Sequence, residues 1–361
     1  MGRIDVAVLG ASGLVGQRFV AALHDHPSFR LVALTASERR QGECFGDVPW
    51  RVGGHISEEV AQLPLLATDA RALRDSGASV AFSALPTSTA ATLEPQLRAG
   101  GIDLFTNAAP ARLEPTVPLV VPEVNGDHLC LARAQPPAQG KLIANANCTT
   151  TGLVLALAPL VPFGIRRVVL TSQQALSGAG HPGVAALDIS GNVLPHIADE
   201  EEKVGAETHK ILGALHGPRI VPATFPVQAT CTRVNVPDGH LLSLWVDTEL
   251  HPGTDEVAAA LAAFRGPPQE LDLPSAPPQP VVVLPQQDRP QPAKDVLLGG
   301  AGRRAGMAIS VGRIRTHGGS IGLVSLSHNT IRGAAGGSLL NAELALAWGL
   351  PPFGDRTGAP P

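Results

Sequence analysis

In "IANANCTTTG", residues 143–152, Cys148 stands between an asparagine and three threonines and directly ahead of the apolar run "LVLALAPL". Structural cysteines usually sit among apolar neighbours, whereas this one opens what reads as a helix, in polar company. At a helix N-terminus the free N–H groups and the positive end of the dipole favour a thiolate, so the expected pKa lies below the ordinary value of ~8.5. Polar Asn147 and Thr149 are expected to keep the sulfur accessible, and the same N–H groups suit an oxyanion. A nucleophile of this kind needs a group that moves protons. Of the twelve histidines, His240 is the best candidate: in "CTRVNVPDGHLLSLWV" it follows the turn Pro237-Asp238-Gly239 and opens a strand, with Arg233 earlier in the same segment. Spacing alone leaves His181 and His328 open.

A second chemical signal lies at the N-terminus. Gly10, Gly13 and Gly16 in "GASGLVG" occupy a strand-to-helix turn, between "IDVAVLG" and a segment with Val15, Phe19, Ala22 and Leu23 at helical spacing. Glycine lets the backbone turn sharply and approach a pyrophosphate, while the helix start supplies N–H donors. The spacing is GxxGxxG rather than GxGxxG, and the flanking strand and helix strengthen it. The following strand, "FRLVALTAS", ends in "TASERR", which sets Ser37, Arg39 and Arg40 beside Glu38. Hydroxyl plus guanidinium suits a 2′-phosphate and favours NADP; Glu38 is the counter-evidence. A nicotinamide cofactor with a poised cysteine points to aldehyde oxidation, or its reverse, through an enzyme-bound thioester.

The elements that must position these groups follow from the apolar pattern. "SVAFSALP", "IDLFTNA" and "PLVVPEV" are further short apolar runs, and strands alternating with helix-length segments imply a doubly wound parallel sheet over residues 1–147. After Cys148, "RRVVLTSQQALSG", "QATCTRVNVPDGHLLSLWVDTEL" and "MAISVGRIRTHGGSIGLVSLSHN" are longer and richer in β-branched residues, as in a mixed or antiparallel sheet. Residues 267–292 carry nine prolines and read as an extended surface excursion. "SLLNAELALAWGL", 338–350, reads as a closing helix, and "PPFGDRTGAPP" as a frayed tail.

With 361 residues, 44% hydrophobic and 16% charged, the chain can build about two domains. A formal net charge of −4 gives no electrostatic case for nucleic acid or an anionic membrane. The four cysteines, Cys44, Cys130, Cys148 and Cys231, include no CxxC pair, so neither a metal site nor a disulfide framework is expected. "MGRIDVAVLG" lacks a signal-peptide h-region and no apolar run reaches the ~20 residues of a membrane span, so the expectation is a cytoplasmic protein.

Taken in order, "GASGLVGQRF", "VAFSALP", "NAAPARLEPTVPLVVPEVN", "QALSGAGHPG", "EEEKVGAET", "CTRVNVPDGH", "GMAISVGRIR" and "LSHNTIRGAAGGSLLNAEL" resemble the aspartate-semialdehyde dehydrogenases of the archaeal and fungal branch, nearly end to end. The resemblance implies an α/β fold: a Rossmann-like NADP domain of residues 1–147 plus 331–361, and an α/β catalytic and dimerisation domain with a mixed sheet, 148–330. It implies Cys148 as nucleophile, His240 as acid–base residue and Gln174 as their hydrogen-bonding neighbour. Arg233 would grip the substrate carboxylate, Glu200 (or Glu201, since the register is open) its ammonium, with Asn147 beside them. Arg112 and Lys203 would hold phosphate. Gly10, Ser12, Gly13, Leu14, Val15, Ser37 and Arg39 would contact the cofactor, with Ser177, Gly178 and Asn329 on its nicotinamide half. The implied partners are a small-molecule substrate and further copies of the chain, as a homodimer or homotetramer. Ala146, where the family usually has proline, Asn235 and Gln173 depart from the pattern. They leave room for a related acyl reductase, such as malonyl-CoA reductase, or for a catalytically silent NADP-binding relative. The intact reactive set stands against the silent relative.

Overall fold

The computed structural model describes residues 2–354. Strands β1 (Ile4–Leu9), β2 (Phe29–Thr35), β3 (Leu65–Leu66), β4 (Val80–Ser83), β5 (Asp103–Thr106), β6 (Leu119–Val120) and β7 (Leu142–Asn145) form one sheet in the order β3-β2-β1-β4-β5-β7-β6. All of its pairings are parallel. Every residue of β4, β5 and β7 is buried, because a parallel sheet is covered on both faces. That is why these strands read as unbroken apolar runs. Phe19, Val20 and Leu23 of the first helix (Leu14–Leu23) share a core with Val8, Phe82 and Phe105. Leu339, Leu340 and Leu344 of the closing helix (Gly336–Ala347) join the same core, so a segment far down the chain completes the parallel sheet's packing.

The second sheet contains β8 (Ile165–Gln174), β11 (Val227–Arg233), β12 (His240–Thr248), β13 (Val281–Leu284), β14 (Ile309–His317) and β15 (Ser320–Ser327), in the order β11-β8-β12-β15-β14-β13. A separate hairpin pairs β9 (Ala214–His216) with β10 (Arg219–Val221). The six-stranded sheet is mixed: β8 is parallel to β11 and antiparallel to β12. Along β8 and β12 buried residues alternate with more exposed ones, so one face covers the core and the other is open, with Val169 and Trp245 on it. The helix Cys148–Leu157 lies between the two sheets. It is buried from Thr149 to Leu157, and its apolar residues are spread around the axis accordingly.

Two expectations are corrected. Residues 267–292 are not a surface excursion. Short helices begin at Pro267 and Pro292, where a missing N–H costs nothing, and the proline-free "VVVL" forms edge strand β13, parallel to β14. Leu273, Ser275 and Ala276 are buried, and Ser275 donates from N–H and Oγ to Glu343 at 3.0 and 2.5 Å. The start of the tail is also packed: Phe353 lies 5.8 Å from Phe29 and 6.0 Å from Phe105, ring centre to ring centre. Residues 355–361 of that tail lie outside the described residues.

Candidate active site

Cys148 is the first residue of its helix. Asn147 caps that helix, its Oδ1 accepting from the N–H groups of Thr149 (2.8 Å) and Thr150 (3.1 Å). Strand register brings the remaining groups to the same end. Gln174 ends β8 and pairs with Arg233, which ends β11, while His240 begins the neighbouring β12. Three adjacent strands therefore present their ends to one helix N-terminus.

His240 is fully buried, with Nε2 3.3 Å from Cys148 Sγ. Its Nδ1 accepts from the Ala175 N–H at 3.1 Å. A nitrogen that accepts carries no proton, so the ring proton of neutral His240 sits on Nε2, facing the sulfur. Arg233, also buried, donates to the Ala175 carbonyl at 2.8 Å. A Cβ at Gly178 would lie 2.7 Å from an Arg233 nitrogen and 2.9 Å from His240, so any side chain there must displace one of these two groups. His181 is exposed, and His328, though buried, faces Thr330.

Within "DEEEK", the helix Glu200–Ile211 turns Glu200 toward the cysteine's cap. Buried Glu200 accepts from Thr149 Oγ1 (2.9 Å), from Gln174 Nε2 (3.0 Å) and, with both oxygens, from Asn147 Nδ2 (3.2 and 3.1 Å). Glu201 instead accepts from the Cys231 N–H on β11. Of the two proposed phosphate-site cations, Arg112 binds Glu207 at 2.8 Å, and Lys203 lies 3.8 Å from Asp199.

The electrostatics reverse one expectation. Burial, followed by the Glu200 carboxylate, pushes the Cys148 thiol up to about 12. Arg112, Arg233 and the Thr149 N–H pull the other way and are outweighed. Sequence reasoning counted the helix N-terminus but not desolvation, which here dominates. Burial, then Arg233, pulls His240 down to about 3. In the ligand-free site the pair is a neutral thiol beside a neutral imidazole.

A cleft of about 820 Å³ opens at the end of β1. Its walls include Gly10, Ser12, Gly13, Ser37, Arg39 and Thr68. Gly10 has φ +72°, and a Cβ there would lie 2.9 Å from the Ala84 carbonyl oxygen, so this turn requires glycine. Arg40 is taken by Glu43 at 2.8 Å, which leaves Arg39 as the guanidinium on the cleft wall. Leu14 and Val15 begin the helix and are half-buried rather than on the wall. Ser177, Gly178 and Asn329 lie toward the cysteine: Asn329 donates to Ser177 Oγ at 2.8 Å and accepts from the Gly239 N–H beside His240. Among the described residues no cluster of His, Cys, Asp or Glu suits a metal ion.

Sequence reasoning missed three residues that shape the site: Ala175, which sets the histidine tautomer, Glu207, and Gly333. Glu207 had a legible signal, since it follows Glu200 by seven positions and so shares its helix face. Gly333 had none beyond being glycine; it packs against Cys148 from a π-helical turn, Ile331–Ala335.

Two family models match: the NAD-binding domain of semialdehyde dehydrogenases over residues 5–132, and their dimerisation domain over 157–332. An aspartate-semialdehyde dehydrogenase of Archaeoglobus fulgidus is 42% identical, across 95% of this chain and 98% of its own. The crystal structure of aspartate-semialdehyde dehydrogenase with NADP from Candida albicans superposes with a TM-score of 0.86 at 35% identity, covering 96% of this chain and 99% of that one. A malonyl-CoA reductase (NADP) of Metallosphaera sedula is 34% identical, over 96% and 98%. Likeness of this extent, in sequence and in fold, places the chain in the aspartate-semialdehyde dehydrogenase family of oxidoreductases.

Proposed function

We infer that this protein reduces L-aspartyl 4-phosphate to L-aspartate 4-semialdehyde and phosphate, reversibly, with NADPH and through a thioester on Cys148. The observation that carries the reading is the contact of Cys148 Sγ with His240 Nε2 at 3.3 Å, flanked by one buried carboxylate and one buried guanidinium. A substrate with both an α-ammonium and an α-carboxylate needs such a pair, Glu200 for the first and Arg233 for the second, where the guanidinium fork suits a carboxylate. Malonyl-CoA has no ammonium to offer Glu200, which favours the aspartyl substrate.

The thiol loses its proton to solvent through the partly open site, and the Nε2–H of His240 donates to the thiolate. Sulfur attacks the acyl carbon, an S–C bond forms, and phosphate leaves with the C–O bond electrons. Arg112 and Lys203 are the cations proposed to receive it. The β1 cleft fits NADP: its glycine turn admits a pyrophosphate, and Ser37 with Arg39 suits a 2′-phosphate. Bound there, NADPH supplies the hydride that reduces the thioester. The resulting oxyanion collapses and expels the thiolate, which Nε2–H again stabilises. His240 thus serves as a donor. Taking a proton at Nε2 while Nδ1 stays bound to Ala175 would require it to hold no ring proton beforehand, contrary to its tautomer.

We assign residues 1–147 with 331–361 to cofactor binding and 148–330 to catalysis and self-association. The open face of the mixed sheet is proposed to pair with a second copy. The test of the reaction is phosphate-dependent NADP⁺ reduction by purified protein given aspartate semialdehyde, with Cys148→Ala as control. Turnover that requires phosphate and vanishes in the variant is expected. Folded protein that binds NADP but turns over only malonyl-CoA would overturn the substrate assignment.

A further inference from the structure

Glu207 is 2% exposed, yet it takes no part in the chemistry above. Its two carboxylate oxygens are engaged by donors from different parts of the chain. One accepts from Arg112 Nη1 at 2.8 Å. The other accepts from the backbone N–H of Asn147 at 2.6 Å. Asn147 is the cap of the nucleophile helix, and its side chain is bound by Glu200. Glu200, Lys203, Glu207 and Lys210 recur at helical spacing and so share one face. From the far end of that face Lys210 donates to the carbonyls of Arg112 (2.7 Å), Glu114 (2.8 Å) and Val117 (2.8 Å). One helix therefore fixes the cap of Cys148 and the loop of Arg112 together. Arg112 also donates to the Asn107 carbonyl at 2.6 Å, while its buried Nε has no partner among the described residues. The guanidinium is held in place with an N–H still unspent.

We propose that Glu207 is a positioning residue that ties the guanidinium of Arg112 to the cap of the nucleophile helix, so that phosphate binding and the placement of Cys148 depend on one carboxylate. The proposal rests on the phosphorylating reaction inferred above. Its physical basis is acceptor count. A carboxylate satisfies both donors, whereas the isosteric carboxamide has one acceptor oxygen and turns an NH₂ toward the other donor. Glu207→Gln removes one tie without changing shape, and Glu207→Asp keeps both acceptors on a shorter stem.

The test uses the full chain with either substitution. Two quantities are measured: KM for phosphate against KM for NADP⁺ in aspartate-semialdehyde oxidation, and the rate of Cys148 alkylation by iodoacetamide with and without inorganic phosphate. In Glu207→Gln the phosphate KM rises about tenfold or more, because a small misplacement is costly in a preorganised site, while the NADP⁺ KM stays within about twofold. Phosphate protects wild-type Cys148 from alkylation and fails to protect the Gln variant, and Asp restores part of both effects. Unchanged phosphate KM and protection overturn the proposal, as does an equal rise of both KM values with a fall in thermal stability, the mark of a merely structural role. Should the Gln variant not fold, the Asp variant decides by the same two readouts. Wild-type protein without phosphate-dependent turnover refutes the reaction instead, and the protection comparison still decides the role of Glu207: selective loss supports it, equal or absent protection overturns it.

Discussion

At the residue scale the site is governed by a competition between a helix N-terminus and burial. The capped N-terminus and two arginines draw the Cys148 thiol toward ionisation, yet desolvation and Glu200 hold it protonated, up to about 12. The sign of the pH dependence follows. A raised pKa means that the thiolate fraction of ligand-free protein is small at neutral pH and grows about tenfold per pH unit until pH approaches about 12. Iodoacetamide alkylation of Cys148, followed by mass spectrometry across pH 6 to 10, is therefore expected to accelerate without levelling off (about tenfold per pH unit below the pKa). A plateau reached near neutrality would show that the helix dipole wins.

At the scale of elements, the π-helical turn Ile331–Ala335 matters because it brings a backbone against Cys148. A Cβ at Gly333 would lie 2.6 Å from the Cβ of Cys148 and 2.8 Å from its Cα, so a methyl there must displace the cysteine or the turn. Gly333→Ala is expected to lower kcat by about a hundredfold while the NADP Kd and far-UV spectrum stay near wild type, as misplacement of a reacting group by an ångström does. Unchanged kcat would mean that the turn yields and the cysteine does not. Other elements were legible for a definable reason. Runs such as "VAFS" announced buried parallel strands, and the β-branched segments after Cys148 announced the second sheet. The segment 267–292 was misread because proline count was taken as a sign of exposure. Pro267, Pro268 and Pro292 instead stand at helix starts, and Pro280 and Pro285 flank an edge strand, where their missing N–H groups are harmless.

At the scale of the molecule, the mixed sheet keeps one face uncovered. Trp245 on that face is 41% exposed, with Arg315 5.2 Å above its ring, and Val169 lies beside it in register. An aromatic with a guanidinium partner on an open sheet has the chemistry of a self-association centre, since aromatics and arginine are the residues enriched at such contacts. Trp245→Glu is expected to lower the particle mass read by light scattering coupled to size exclusion, without loss of secondary structure. Equal masses for variant and wild type would refute this face as the interface.

Residue order alone made legible a cysteine at a helix start, a glycine turn for dinucleotide phosphates, and a parallel sheet followed by a mixed one. These are local signals, carried by spacing within a few residues. The packed fold added what depends on contacts between segments far apart in the chain. It set the Nε2 of His240 against the Cys148 sulfur, and by the rotation of one helix it turned Glu200 toward Gln174 and Glu201 toward the Cys231 N–H. It reversed the expected shift of the thiol through burial, and it joined Arg112 to Asn147 through Glu207. Desolvation and hydrogen-bond partnership are properties of the packed site, and no local pattern encodes them.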